Sequence, residues 1–209
     1  MRRDAARNRQ LILEAARALF AERGLSVSLD QIAKRAGVGV GTVYRRFADK
    51  EELIDALFEQ RLEAIASTAA AAAQSAEPWE GLCRWFAELV RLQVEDRGLK
   101  EVFFLSSSDR RLARLETARS HLLPPLGELL RRAQAAGKAR PDISVTDLLL
   151  LAEMVAEVCA QYRESRPTLH RRYVNLLIDG LVAARPTSTP LGEPPFSEQE
   201  IAVAKGLRR

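Results

Sequence analysis

Apolar residues return every three or four positions along most of this chain, a period that predicts helices throughout. Leu11, Ile12, Ala15, Ala16, Leu19 and Phe20 form one stripe of a first helix over about 4–23, which Gly24 ends. Leu29, Ile32, Ala33 and Ala36 mark a shorter helix over 29–36, and Val43 and Phe47 share one face of a third over about 40–47. From Asp49 a long helix carries Leu53, Ile54, Leu57, Phe58, Leu62 and Ile65 into an alanine run and stops before Pro78. The pattern then predicts helices over about 79–96, 99–105, 109–136, 145–163 and 168–184. Pro124 and Pro125 are expected to kink or split the one over 109–136, which Gly137 and Pro141 terminate. A proline-rich linker, PTSTPLGEPP, leads to a short terminal helix from Ser197 to about Leu207. No strand pairs and no internal repeat are legible. The expected fold is all-α: a three-helix head over 1–52, a helical bundle over 53–185, and a linker with its terminal helix over 186–209.

Residues 28–50 carry the most information. Ser28 and Gln31 stand at capping-box spacing, with Val27 and Ile32 as a hydrophobic staple. Gly37 follows the last helical residue, where a left-handed backbone suits glycine, and Val38 reads as a buried plug in the turn. Two short helices about a glycine turn make a helix-turn-helix, which presents its second helix to the DNA major groove. Thr42, Tyr44, Arg45 and Arg46 lie off the apolar stripe, free to reach phosphates or base edges, and Val40 could meet a thymine methyl. Gly39 and Gly41 let the backbone approach a partner closely. Asp49 and Glu52 form a second capping box, so Lys50 falls in a first helical turn, where a cation meets the positive end of the helix dipole. A phosphate would compensate, which selects Lys50, with Ser28, as a phosphate contact. The competing reading makes these cations a solvated face, with Tyr44 partly in the core. Arg2 and Arg3 read as a solvated terminus or, alternatively, a minor-groove arm.

Charge agrees with a polyanion partner. The net charge is +4, but residues 1–50 hold eleven Lys or Arg against five Asp or Glu, a balance of +6, and the remainder balances at −2. The run from Gly37 to Thr42 is no phosphate-binding loop, because a helix rather than a strand precedes it and no Lys stands before Thr42. Cys83 and Cys159 read as small buried hydrophobes, His121 and His170 are isolated, and no metal spacing or cofactor motif is present. Without a signal peptide or a run of about 20 apolar residues, a soluble protein of the reducing cytoplasm is expected. The helices over about 145–163 and 168–184 are apolar on more than one face, which predicts a homodimer through this pair.

The first fifty-odd residues resemble the TetR family of bacterial transcriptional regulators. ILEAARALFAERG, Ile32-Ala33, Ala36-Gly37-Val38, Gly41-Thr42-Val43-Tyr44, Phe47 and Lys50-Glu51-Glu52-Leu53 carry the resemblance. It implies a homodimeric repressor whose two heads hold a palindromic operator and which a small molecule in the body releases. It also implies DNA contacts at Ser28, Val38, Gly39, Val40, Gly41, Thr42, Tyr44, Arg45, Arg46 and Lys50. A pocket for a hydrophobic effector is then expected among Trp85, Phe86, Phe103, Phe104, Leu122, Met154 and Tyr162, although plain core packing is the competing role of each. One rival is a DNA-binding dimer without an effector. Another, an enzyme with an accessory DNA-binding head, lacks any catalytic constellation: Ser106, Ser107, Ser108 and Asp109 read as a loop ending in a helix cap.

Overall fold

The computed structural model describes residues 2–95, 109–183, 189, 191–195, 197 and 199–200. Among these, eight α-helices follow in order: α1 Arg2–Arg23, α2 Leu29–Ala36, α3 Val40–Tyr44, α4 Lys50–Ala73, α5 Pro78–Glu95, α6 Asp109–Ala135, α7 Val145–Gln161 and α8 Leu169–Leu181. A single 3-10 turn, Gly24–Ser26, joins α1 to α2. One compact unit, the head, takes the residues up to Glu63; the body takes Ala64–Glu95 and the residues from Leu112 onward.

In the head, α1 packs on α2 and α2 on α3. Ile12, Ala16, Phe20, Ile32, Ala33, Val43 and Phe47 are buried together, as their spacing predicts. Leu53, Ile54, Ala56 and Leu57 belong to the same core. A head ending at residue 52 is therefore too short. The first turns of α4 complete a core that two helices of eight and five residues could not close alone, and the apolar pattern crosses that point without a break. α1 starts at Arg2, so Arg2 and Arg3 belong to the helix rather than to an arm before it.

The local signals around α2 act as expected. The Ser28 hydroxyl accepts the Gln31 N–H at 3.3 Å, and the Gln31 side chain accepts the Ser28 N–H at 2.9 Å. Gly37 is left-handed at φ 67°. The Val38 N–H reaches the Ala33 carbonyl and the Gly37 N–H that of Lys34, so the last carbonyls of α2 are satisfied. Val38 then packs half-buried against the head core.

In the body, α5 lies against α7 and α8, and α7 against α8. Trp85, Phe86, Leu89 and Val90 fill the centre with Leu126, Leu130, Leu148 and Val174. Two expectations need correction here. Helix α6 is not split at Pro124 and Pro125. The carbonyls that those prolines leave without a helical donor belong to Ser120 and His121, which are exposed, so water can serve them. Helix α8 ends at Leu181 rather than near 184, because Val182 turns extended and bridges Ala139. Arg140 N–H donates to the Leu181 carbonyl and Ala183 N–H to that of Lys138, both at 2.9 Å, a strand-like pairing that no local pattern announces.

The expected helix near 99–105 and the Ser106–Ser108 loop lie outside the described residues. Of the terminal helix, Ser197 and Glu200 form the expected reciprocal cap, with Ser197 N–H to Glu200 Oε2 at 2.8 Å and Glu200 N–H to Ser197 Oγ at 3.2 Å. Its continuation also lies outside the described residues.

Candidate nucleic-acid interface

Helix α3 is shorter than the octapeptide its sequence predicts. Its α-helical span is Val40–Tyr44, and Arg45 and Arg46 follow as a turn. The Arg46 and Phe47 N–H groups both reach the Val43 carbonyl at 2.9 Å, so the turn stays hydrogen-bonded. It closes because Val43 and Phe47 are both pulled into the head core.

What remains outside is the predicted face. Val40 is 42% exposed and Tyr44 51%, so Tyr44 is no core residue. Arg45 and Arg46 are exposed, and neither pairs with a carboxylate among the described residues. Thr42 is half-buried, and its hydroxyl accepts Arg45 Nη2 at 3.2 Å, which restrains the Arg45 side chain along the helix. Gly39 caps α3 with no side chain contributing, and its carbonyl accepts the Thr42 N–H at 2.8 Å. Gly41 is exposed, and a Cβ there would meet no atom within 4 Å. Its lack of a side chain therefore answers no need of the head's own packing.

Ser28 and Lys50 flank this face along the chain, at the N-cap of α2 and the first residue of α4. The second capping box is offset by one residue. Glu52 N–H donates to Asp49 Oδ1 at 2.8 Å, but the Glu52 carboxylate accepts the Ala48 N–H, at 2.6 Å, rather than that of Asp49. Lys50 has an internal partner that the sequence does not reveal, since its Nζ stands 5.9 Å from the centroid of the Phe20 ring. Arg9 of α1 stands at the same distance over the ring of Phe47. No sequence signal marks either contact, because each joins residues far apart in the chain.

Of the residues expected to line an effector pocket, Trp85, Phe86 and Leu122 meet in the body core. Met154 and Tyr162 are 64% and 50% exposed. Met154 projects from the face of α7 opposite Ala152, Ala156 and Cys159, which point inward, and Tyr162 follows the helix as its C-cap. Phe103 and Phe104 lie outside the described residues. Apolar side chains in a helical body first fill its core, and spacing alone could not separate core from outer face on α7. Met154 instead joins Leu151, Val158, Tyr173 and Leu176 around an apolar groove of about 340 Å³ between α7 and α8.

The remaining polar chemistry is sparse. His170 is buried, its Nδ1 has no hydrogen-bond partner, and burial, helped by the charge of Arg171, holds its pKa below the ordinary value. The Trp85 indole N–H is likewise buried without an acceptor. Among the described residues, no cluster of His, Cys, Asp or Glu is placed to hold a metal ion, and no helix is long and apolar enough to cross a membrane.

A helix-turn-helix head and an all-helical body in one chain define a class, that of helical transcriptional regulators. Comparison with known proteins agrees. Residues 12–57 match the family described as bacterial regulatory proteins, tetR family, and residues 77–183 match the C-terminal domain of SbtR-like transcriptional regulators. A crystal structure of a TetR transcription regulatory protein from Mycobacterium vanbaalenii is 36% identical, with a TM-score of 0.65 over 87% of this chain and 98% of that one. A TetR transcriptional regulator from Streptomyces coelicolor is 27% identical, with a TM-score of 0.63 over 85% and 99%. An HTH-type transcriptional regulator from Staphylococcus aureus is 45% identical over 64 residues, 30% of this chain. The chain spans about a third of the length of the curated relatives it matches, 35% for that one. The chain belongs to the TetR family. The families it matches are regulatory proteins, not enzymes.

Proposed function

We propose that this protein is a homodimeric repressor that holds a palindromic operator through α3 and releases it when a small apolar effector binds the body. The observation that carries the DNA-binding reading is the outer face of α3. Val40, Tyr44, Arg45 and Arg46 are exposed, the two arginines have no carboxylate partner among the described residues, and Gly41 leaves its side of the helix open. In this reading Arg45, held by Thr42, and Arg46 reach base edges or phosphates. Tyr44, Lys50 and Ser28 bind phosphates, Val38 and Val40 make apolar contacts, and Gly39 and Gly41 admit the DNA backbone.

The groove between α7 and α8 supports dimerisation. Met154, Val158, Tyr162, Tyr173 and Leu176 are large, apolar or aromatic, and 41–64% exposed, a patch of the kind that a partner normally covers. A two-fold pairing there would present two α3 helices to successive major grooves about 34–36 Å apart. For the effector, the supporting observation is the buried Trp85 N–H without an acceptor. A ligand with apolar bulk and one hydrogen-bond acceptor would satisfy it. Such a ligand releases DNA only to the extent that it binds the non-binding arrangement of the heads more tightly.

The test is selection of bound fragments from a random duplex library with the full-length protein. The proposal expects an inverted repeat whose half-sites are one helical turn apart, or a multiple of that. Enrichment of single half-sites would contradict the dimer, and no enrichment would contradict sequence-specific binding.

A further inference from the structure

Arg9 lies outside the helix-turn-helix, yet its side chain reaches the end of the recognition segment. Its guanidinium carbon is 5.9 Å from the centroid of the Phe47 ring. Phe47 is 2% exposed and directly follows the exposed Arg45 and Arg46. The Phe47 ring thus holds the guanidinium by a cation–π contact. An aromatic ring accepts no conventional hydrogen bond from it, so its N–H donors are left able to bond. Arg9 is half-exposed and has no carboxylate or hydrogen-bond partner among the described residues. Two other cations of the head differ. Arg35 is paired with Glu22 at 3.1 Å, and Arg17 donates to Gln60 at 3.5 Å. Arg9 is held without being neutralised, over the ring of the residue that follows Arg45 and Arg46 in the chain.

We propose that Arg9 is a phosphate-binding residue of the DNA interface, a contact from α1 beside the recognition helix. The inference rests on the DNA-binding reading above. The Phe47 ring fixes where the guanidinium sits, and its in-plane N–H groups grip phosphate oxygens. Such a contact fixes the orientation of the head and carries no sequence information.

The test titrates the full-length protein, Arg9→Ala and Arg9→Lys onto a random-sequence duplex between about 50 and 200 mM salt, by fluorescence anisotropy. Arg9→Ala is expected to make the slope of log K against log salt shallower by about 0.9. Over that range the wild type then loses about 3.5-fold more affinity than the variant. Arg9→Lys keeps the charge but not the stacked fork, and is expected to retain the wild-type slope. An Arg9→Ala slope equal to that of the wild type overturns the inference alone. So does a lowered melting temperature in both variants with the slope unchanged, which is what a purely structural lid on Phe47 would give. If the wild type binds no duplex at low salt, the DNA-binding reading falls and the inference with it.

Discussion

Gly81 stands so close to Ser75 that a methyl group on its Cα would lie 2.6 Å from the Ser75 Cβ and 2.9 Å from the Ala72 carbonyl oxygen. The first turn of α5 is thereby pressed against the end of α4, which Arg132 also ties down by donating to the Ala73 and Ser75 carbonyls at 3.3 Å. Alanine is ordinarily the better helix former, so Gly81→Ala would stabilise an unencumbered helix. Here the clash is with backbone and Cβ atoms, which cannot swing aside. Overpacking wins, and the variant loses about 1–3 kcal/mol. Thermal unfolding should show a lower midpoint; an unchanged or raised midpoint would mean that α4 and α5 part easily.

A second prediction concerns pH. The His170 pKa is lowered chiefly by burial, then by the charge of Arg171, with Arg91 acting the same way and Glu95 opposing. As pH falls through the ordinary value of 6.5, the unfolded chain takes up a proton that the folded one resists. The unfolded state then holds more protons, so stability is fully present above that pH and is lost below it, until the folded imidazole also titrates. His170→Gln has no proton to gain. The difference in midpoint between wild type and variant should therefore vary between about pH 7.5 and 5.5. A constant difference would show that folding leaves the His170 pKa unshifted.

The thiols should be sluggish. Burial pushes Cys83 up to about 11, with Glu80 adding to the shift and Arg84 opposing it, and burial also raises Cys159. At pH 8 the thiolate fraction of Cys83 is then ~0.1%, against roughly a quarter for a free thiol. Alkylation by iodoacetamide at that pH should run about two orders of magnitude slower than with free cysteine. Rapid modification at Cys83 would show that α5 opens readily.

The proposed dimer surface can be tested at Leu176, which is 56% exposed on α8. Leu176→Arg changes nothing in the core of one subunit, so the monomer should fold. Burying that charge in a two-fold interface is costly, so sedimentation equilibrium should find monomers where the wild type forms dimers. A persistent dimer would place the interface elsewhere.

Local signals in this chain were legible and long-range ones were not. The Ser28–Gln31 box, the left-handed Gly37 and the buried Val43 and Phe47 follow from spacing, because each depends on residues within a few positions. The Ser144–Asp147 box that opens α7 had the same signal and was equally readable. The early end of α8 depends on Ala139, and the place of Lys50 on Phe20. Such partners are set by packing, which a periodicity does not encode. Pro124 and Pro125 were read by local rule, but tertiary burial of Leu123, Leu126, Leu129 and Leu130 keeps α6 continuous. A helix apolar on several faces does not tell which face meets the core, and Met154 lies on the outer one.

Gly41 gives the most direct test of the central claim, that the outer face of α3 lies against duplex DNA. The residue is exposed within the helix, its φ is not in the left-handed region, and a Cβ there would meet nothing within 4 Å. Gly41→Leu should therefore fold with a melting temperature equal to or above that of the wild type, since it gains up to about 1 kcal/mol of helix propensity. Titrated side by side in low salt against duplexes recovered by selection, the wild type should bind and the variant should lose at least about a hundredfold in affinity, the equivalent of about 2.7 kcal/mol. Equal binding by a folded Gly41→Leu would contradict the account.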